Sequence, residues 1–331
     1  MFDIHRKISA AKDTTCLSLD CRAIELFFSI LRTVFVLCTI LIVSGSGCAF
    51  AKSSAVKLGS SRNAIWIQNR KRTYIVHIPG NYNAEMKVPL LVVLHGGLGT
   101  ARTGAWDSRM SSQADKDGFV AVYPSGYLRT WNAGECCGLA RRKDIDDVAF
   151  IRTLIEKLKS ELSIDPDRVY VTGISNGGMM AYRLGRELSD QIAAIAPIEA
   201  CMYSTPVKGN DAVSVVAFHG TGDHVVPYDG GTGHMMGYHL RATAVAENIR
   251  YWRDWDNCNK ESTRSEIQGV QKEVFAGGRN GTEVCLYTLP KAGHAWPGGK
   301  RAVFIGSSPS RKLSATEAMC EFFWAHPKRR D

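Results

Sequence analysis

The sequence predicts an α/β fold, a mostly parallel twisted sheet with helices on both faces, folded as a single domain. Three observations carry this expectation. β-type runs alternate with helical segments along most of the chain. Residues 90 to 94 read LLVVL, without the polar alternation of a strand that has one face in water, so both faces of that strand should be covered. Finally, 331 residues with 45% apolar and 22% charged side chains supply a core of ordinary size.

The first fifty residues stand apart. Thr33 to Val43 (TVFVLCTILIV) is apolar and uncharged, Arg22 and Arg32 precede it, and Ala49-Phe50-Ala51 follows a small-residue stretch. That is the layout of a secretory signal peptide cut after Ala51, over residues 1–51. The apolar run is short for a membrane span. An uncleaved anchor reaching back towards Leu26 and lipidation at Cys48 are the two alternatives, and the long n-region fits a start codon downstream of Met1. A secreted or periplasmic chain with no stable membrane insertion is expected after cleavage.

Residues 52–62 are polar and read as a flexible lead, and the domain is expected over 63–331. Strands are expected at Tyr74 to Ile78, Leu90 to Leu94, Phe119 to Tyr123, Val169 to Thr172, Ile192 to Pro197, Val213 to Phe218 and Val284 to Leu289. Asp165 to Arg168 reads as a turn. Helices are expected at Asp147 to Leu162, Asn176 to Leu188, His239 to Trp255 and Ser314 to Trp324, the last opening on the capping box Ser314-Ala315-Thr316-Glu317. No repeat or second module is visible.

The chain carries a net charge of +9, but Lys and Arg are scattered with no aromatic-interleaved stripe, so no nucleic-acid partner is expected. It is expected to act as a monomer on a small-molecule or polymeric substrate. Beyond the leader, Cys136, Cys137, Cys201, Cys258, Cys285 and Cys320 fit an oxidising compartment. A Cys258–Cys285 bridge, and one from Cys201 to Cys136 or Cys137, are the expected pairings. There is no Cys-x-x-Cys pair, and no metal or cofactor is expected. His219, Asp223, His224, His234 and His239 crowd one segment, which keeps a metal-binding or binding-only role as an alternative, although their spacing fits no metal pattern; a non-catalytic adhesive or envelope role is the other.

Residues 172 to 178 read TGISNGG. A strand precedes Ser175 and a helix follows it, the context in which a serine sits on a sharp elbow with its hydroxyl exposed. Gly173 and Gly177 then have a physical reason, because a β-carbon at either would strike the neighbouring strand or helix. A serine hydroxyl needs an imidazole to take its proton and a carboxylate to orient that imidazole. Asp223, in HGTGDHVVPY after one later strand, and His294, in KAGHAWPGG after another, occupy the loops where such partners belong. Asp229 and Asp211 are lesser candidates for the acid. Acyl transfer also needs donors for a developing oxyanion, and the Gly97 and Asn176 N–H groups are the candidates. Trp131, Trp296 and His95 are candidates for contact with the substrate, the two indoles as stacking walls.

At these motifs the chain resembles the secreted polyhydroxybutyrate depolymerase-like esterases, relatives of the feruloyl and acetylxylan esterases of carbohydrate esterase family one. The resemblance rests on LHGG at 94 to 97, WNAGECCG at 131 to 138, DDVAFIRTLI at 146 to 155, DRVYVTGISNGGMMAYRL at 167 to 184, HGTGDHVVPY at 219 to 228 and GHAWPGG at 293 to 299. It implies an α/β-hydrolase fold, a triad of Ser175, Asp223 and His294, an acyl-enzyme mechanism and no metal. The polymer-degrading branch usually adds a linker and a substrate-binding module that this sequence lacks. Short hydroxyalkanoate esters are therefore the expected substrates, with feruloyl or acetylxylan esters as the alternative.

Overall fold

The structure is a computed structural model that describes residues 56–205, 209–235, 238–301 and 307–329. The expected signal peptide lies outside the described residues. The strands are β1 (Gly59–Ile67), β2 (Arg70–Ile78), β3 (Val88–Leu94), β4 (Val120–Pro124), β5 (Ile164–Ile174), β6 (Ala194–Ile198), β7 (Ser214–Gly220), β8 (Gly231–Met235), β9 (Tyr238–Ala242), β10 (Thr263–Ile267), β11 (Val270–Phe275) and β12 (Val284–Leu289). The helices are α1 (Ala101–Ser108), α2 (Met110–Asp117), α3 (Gly138–Arg142), α4 (Asp147–Glu161), α5 (Asn176–Glu187), α6 (Val245–Trp255) and α7 (Ala315–Ala325).

Ten strands form one sheet in the order β1-β2-β4-β3-β5-β6-β7-β12-β11-β10. From β4 to β12 the neighbours are parallel, and the outer pairs on both sides are antiparallel. The central strands are buried along nearly their whole length, as VPLLVVL in β3 and AIAPI in β6 require. Period-two alternation divides β3 between the two faces. Leu91 and Val93 join a core cluster with Met110 and Ala114 of α2 and Met319 and Phe323 of α7, whereas Leu90, Val92 and Leu94 lie outside that cluster.

Each expected strand is present, with four differences around them. The expected flexible lead is partly β1, whose residues Gly59 to Arg62 pair with Ile78 to Ile75 of β2. Its mostly exposed side chains gave no apolar alternation to read. The hairpin of β10 and β11 escaped for the same reason, since every residue of β10 is exposed. The expected turn at Asp165 to Arg168 is instead an irregularity within β5, where pairing to β3 jumps from Val88↔Ile164 to Leu90↔Val169. The helix expected from His239 begins only at Val245, because Tyr238–Ala242 pairs with Gly231–Met235 as a separate hairpin. Ser314 caps α7 by accepting from the Glu317 N–H at 3.3 Å.

The cysteine expectations fail. Cys136 and Cys137 are paired with each other, while Cys201, Cys258, Cys285 and Cys320 are buried free thiols. Cys285 and Cys320 belong to the core cluster, whereas Cys258 lies outside it, its Sγ 3.9 Å from the Thr282 carbonyl oxygen. Burial pushes the Cys285 thiol up to about 12 and that of Cys258 to about 11, so both are poor nucleophiles.

Candidate active site

β5, β6, β7 and β12 are adjacent and parallel, so their carboxyl ends open on one edge of the sheet. Ser175, Glu199, Asp223 and His294 each follow one of these four ends. Ser175 caps α5 with φ 56° and ψ −126°, a conformation in which a non-glycine residue is strained. Its N–H is held by the Ile198 carbonyl at 2.9 Å, and its own carbonyl accepts from Met179 at 2.8 Å. The elbow closes only on glycines. A β-carbon on Gly173 would lie 2.6 Å from the Gly177 backbone, and one on Gly177 would lie 2.4 Å from the Leu94 carbonyl oxygen.

Asp223 and His294 are buried and joined, with Nδ1 and Oδ2 at 2.7 Å. Oδ1 of Asp223 accepts from the Val225 and Val226 N–H groups at 2.7 and 2.9 Å. Burial alone would raise the Asp223 pKa, but the adjacent His219 imidazole and hydrogen bonds from His294 and the Val226 N–H hold it well below the usual carboxylate range. The two loops are fastened together. Thr221 donates to the Leu289 carbonyl at 3.1 Å, Gly222 to that of Ala292 at 2.9 Å, and the Lys291 N–H to Thr221 Oγ1 at 2.9 Å. A β-carbon on Gly220 would stand 2.2 Å from the Ala292 oxygen, so glycine lets the loops touch. Among the described residues no hydrogen bond joins Ser175 to His294, a contact that ligand-free sites commonly hold loosely.

Gly96 and Gly97 lie against the elbow, where a β-carbon on Gly96 would be 3.6 Å from the Ser175 Cβ and one on Gly97 3.9 Å from that of Asn176. The Asn176 side chain is clamped to the main chain of Trp131, accepting from its N–H at 2.7 Å and donating to its carbonyl at 3.0 Å. This fixes the first residue of α5, whose N–H is a candidate oxyanion donor.

The three candidate substrate contacts turn out to be packing residues. Trp131 is fully buried and donates Nε1–H to the His95 carbonyl at 2.9 Å. His95 is buried, and its Nε2 accepts from the Gly126 N–H at 2.9 Å. That leaves the proton on Nδ1, which donates to the Gly96 carbonyl at 2.7 Å. Burial lowers the His95 pKa to about 4, so it stays neutral while it shapes the Gly96–Gly97 turn. Trp296 is also buried. It donates Nε1–H to Thr316 Oγ1 at 2.9 Å, and that hydroxyl in turn donates to the Ser108 carbonyl at 2.7 Å. The His294 loop is thereby tied to α7 and to the end of α1. None of the three rings offers a face to a ligand.

Sequence reasoning missed two groups. Asp147, buried and paired with Arg72 at 2.6 Å, accepts from the Asn132 N–H at 2.8 Å, and Arg183 donates to the Asn132 carbonyl at 2.7 Å. These bonds anchor the Trp131 loop. Glu199 is the second, an acid at the end of an apolar run, and that break in the run was the signal available.

The five residues of the metal-binding alternative do not converge among the described residues. The set that does is Glu199, Asp223 and His294, whose potential ligand atoms lie within 4.8 Å of one another. His294 and Asp223 are at hydrogen-bond distance, closer than the about 3.3 Å that separates two donors on one tetrahedral zinc.

The family model described as Esterase PHB depolymerase matches residues 72–230. The chain is 30% identical over 239 residues to Feruloyl esterase B of Piromyces equi, covering 69% of this chain and 44% of that protein. It is 30% identical over 165 residues to the Bifunctional acetylxylan esterase/xylanase XynS20E of Neocallimastix patriciarum, covering 49% and 23%. It spans less than half the length of either relative. The solved acetyl xylan esterase from Aspergillus awamori superposes with a TM-score of 0.56 at 15% identity, covering 80% of this chain and 99% of the other. The shared fold is that of the α/β-hydrolases. No helix among the described residues is long and apolar enough to cross a membrane.

Proposed function

We propose that this chain belongs to the family of esterases typified by the polyhydroxybutyrate depolymerases and feruloyl esterases, and that it hydrolyses carboxylic esters through an acyl-enzyme on Ser175. The observation that carries the reading is the strained backbone of Ser175 at the head of α5, a conformation kept only where the surrounding packing enforces it. In the reaction, Ser175 Oγ attacks the ester carbonyl carbon while His294 Nε2 takes its proton. The Asp223–His294 bond keeps the other imidazole proton on Nδ1 and stabilises the imidazolium that forms. The Gly97 and Asn176 N–H groups receive the oxyanion, the latter aided by the positive end of the α5 dipole. His294 then protonates the leaving alcohol, and water repeats the sequence to release the acid.

Short hydroxyalkanoate esters are the proposed substrates, in keeping with the family model over residues 72–230. A second reading, feruloyl or acetylated sugar esters, is favoured by the names of the two relatives. Export behind a cleaved leader and action as a monomer complete the proposal.

The test is Ser175→Ala. Hydrolysis of p-nitrophenyl acetate is expected to fall to the ~10³ to 10⁴ above water that binding and oxyanion donors alone provide. Near-native turnover would sink the assignment. Hydroxybutyrate oligomers, methyl ferulate and acetylated xylan, compared by kcat/KM, separate the two substrate readings.

A further inference from the structure

Glu199 has no part in the chemistry above, yet it stands directly behind it. It follows β6, between the strands that lead to Ser175 and Asp223, and is fully buried with φ 45°. Both of its carboxyl oxygens lie 3.1 Å from the single Gly220 N–H. Its carboxyl, that of Asp223 and the His294 imidazole approach within 4.8 Å of one another. Two anionic carboxylates in one dry pocket repel each other, and the repulsion is relieved when one of them holds a proton. Asp223 is built to be the anion, because Val225, Val226 and His294 all donate to it. Glu199 has one shared backbone donor, so the proton belongs there. Burial first, and then the Asp223 charge, push its pKa well above the ordinary carboxyl value.

We propose that Glu199 is a positioning residue: protonated, it donates a hydrogen bond to Asp223 and fixes that carboxylate against His294. The role rests on the reading of Asp223 and His294 as the acid and base of ester hydrolysis. The groups facing Glu199 are consistent with it. His219 Nε2 stands 3.5 Å from both Glu199 Oε2 and Asp223 Oδ2, and it donates its proton to the Val226 carbonyl at 2.8 Å. Cys201, two residues on, is a thiol that burial keeps neutral. His294 approaches from the β12 loop.

Two measurements test this, and the first needs no esterase activity. The infrared difference spectrum between the wild type and Glu199→Gln at pH 7 is expected to contain the carbonyl band of a buried protonated carboxyl group. A difference spectrum without that band overturns the proposal, whatever the fate of the functional reading. The second is the pH profile of kcat. Glu199→Gln exchanges one neutral donor for another, so kcat is expected to stay within about threefold and the acid limb within about 0.3 pH unit. An ionised Glu199 would behave otherwise, since its removal would lower the acid limb by about one unit or more, and that outcome also overturns the proposal. Glu199→Ala, which leaves Asp223 without the donor, is expected to lower kcat by about tenfold to a hundredfold with KM little changed. Full kcat in a folded Glu199→Ala variant refutes the positioning role. The glutamine variant and the infrared band decide the matter if the alanine variant does not fold.

Discussion

The inner wall of the site and its rim are built on opposite terms. Inside, Trp131, Trp296 and His95 are sealed, and each polar ring atom is committed to a backbone carbonyl, a backbone N–H or a buried hydroxyl. At the rim, Leu98 is 43% exposed and Leu128 is 59% exposed, both at positive φ, and the Leu98 N–H donates to the Arg129 carbonyl at 2.8 Å. The motif tryptophans hold the frame, and the exposed apolar side chains beside the Gly97 turn belong to residues between the motifs. A side chain that must fix a loop to sub-ångström tolerance has to be packed, and a packed side chain has no face left for a ligand.

The hardest way to break this comparison is Trp296→Ala. Removing a buried indole and its bond to Thr316 should cost about 3 to 5 kcal/mol of stability. Any activity lost by the folded protein should fall equally on small and bulky esters. A selective loss on bulky aromatic esters, with melting temperature unchanged, would return Trp296 to the substrate wall.

The rim gives the converse result. Leu98→Ser with Leu128→Ser should change stability by no more than about 0.5 kcal/mol for each substitution. It should lower kcat/KM about tenfold on long-chain p-nitrophenyl esters, the loss of about 1.4 kcal/mol of apolar contact, while p-nitrophenyl acetate is spared. Uniform loss across chain lengths would show that these leucines support the Gly97 turn instead.

A last test, which leaves catalysis untouched, separates buried polarity that serves the site from buried polarity that does not. Asp256 lies beyond α6, accepting from the Val213 N–H at 3.0 Å through Oδ1, while Oδ2 has no partner among the described residues. Burial pushes its carboxyl up to about 7, against the pull of the Val213 N–H, Arg279 and Lys328. An unfolded aspartate titrates near ~3.9, so the folded state holds this proton more tightly. The associated stability is fully present below that value and is lost as pH rises through about 7. Asp256→Asn, which has no such proton, should therefore gain melting temperature relative to wild type between pH 5 and pH 8, with kcat unchanged. Parallel melting curves at both pH values would contradict the raised carboxyl.

The parts legible in the sequence were those governed by local rules. Residues 172 to 178 announced the elbow because glycine is the residue that survives contacts of 2.4 to 2.6 Å at Gly173 and Gly177. The loops of Asp223 and His294 were legible because the apolar runs of β7 and β12 end just before them. β1 and β10 were illegible because exposed edge strands need no apolar alternation.

By itself the sequence determined the parallel core of the sheet, the elbow at Ser175 and the strand ends from which Asp223 and His294 are presented, since burial on both faces and tight turns restrict residue type locally. Tertiary structure alone decided that Cys258 and Cys285 stay apart, that the motif tryptophans face inward, and that Glu199 meets Asp223. Each of these depends on which side of a strand or loop meets which neighbour, and residues brought together from distant segments leave no spacing in the chain that records the encounter.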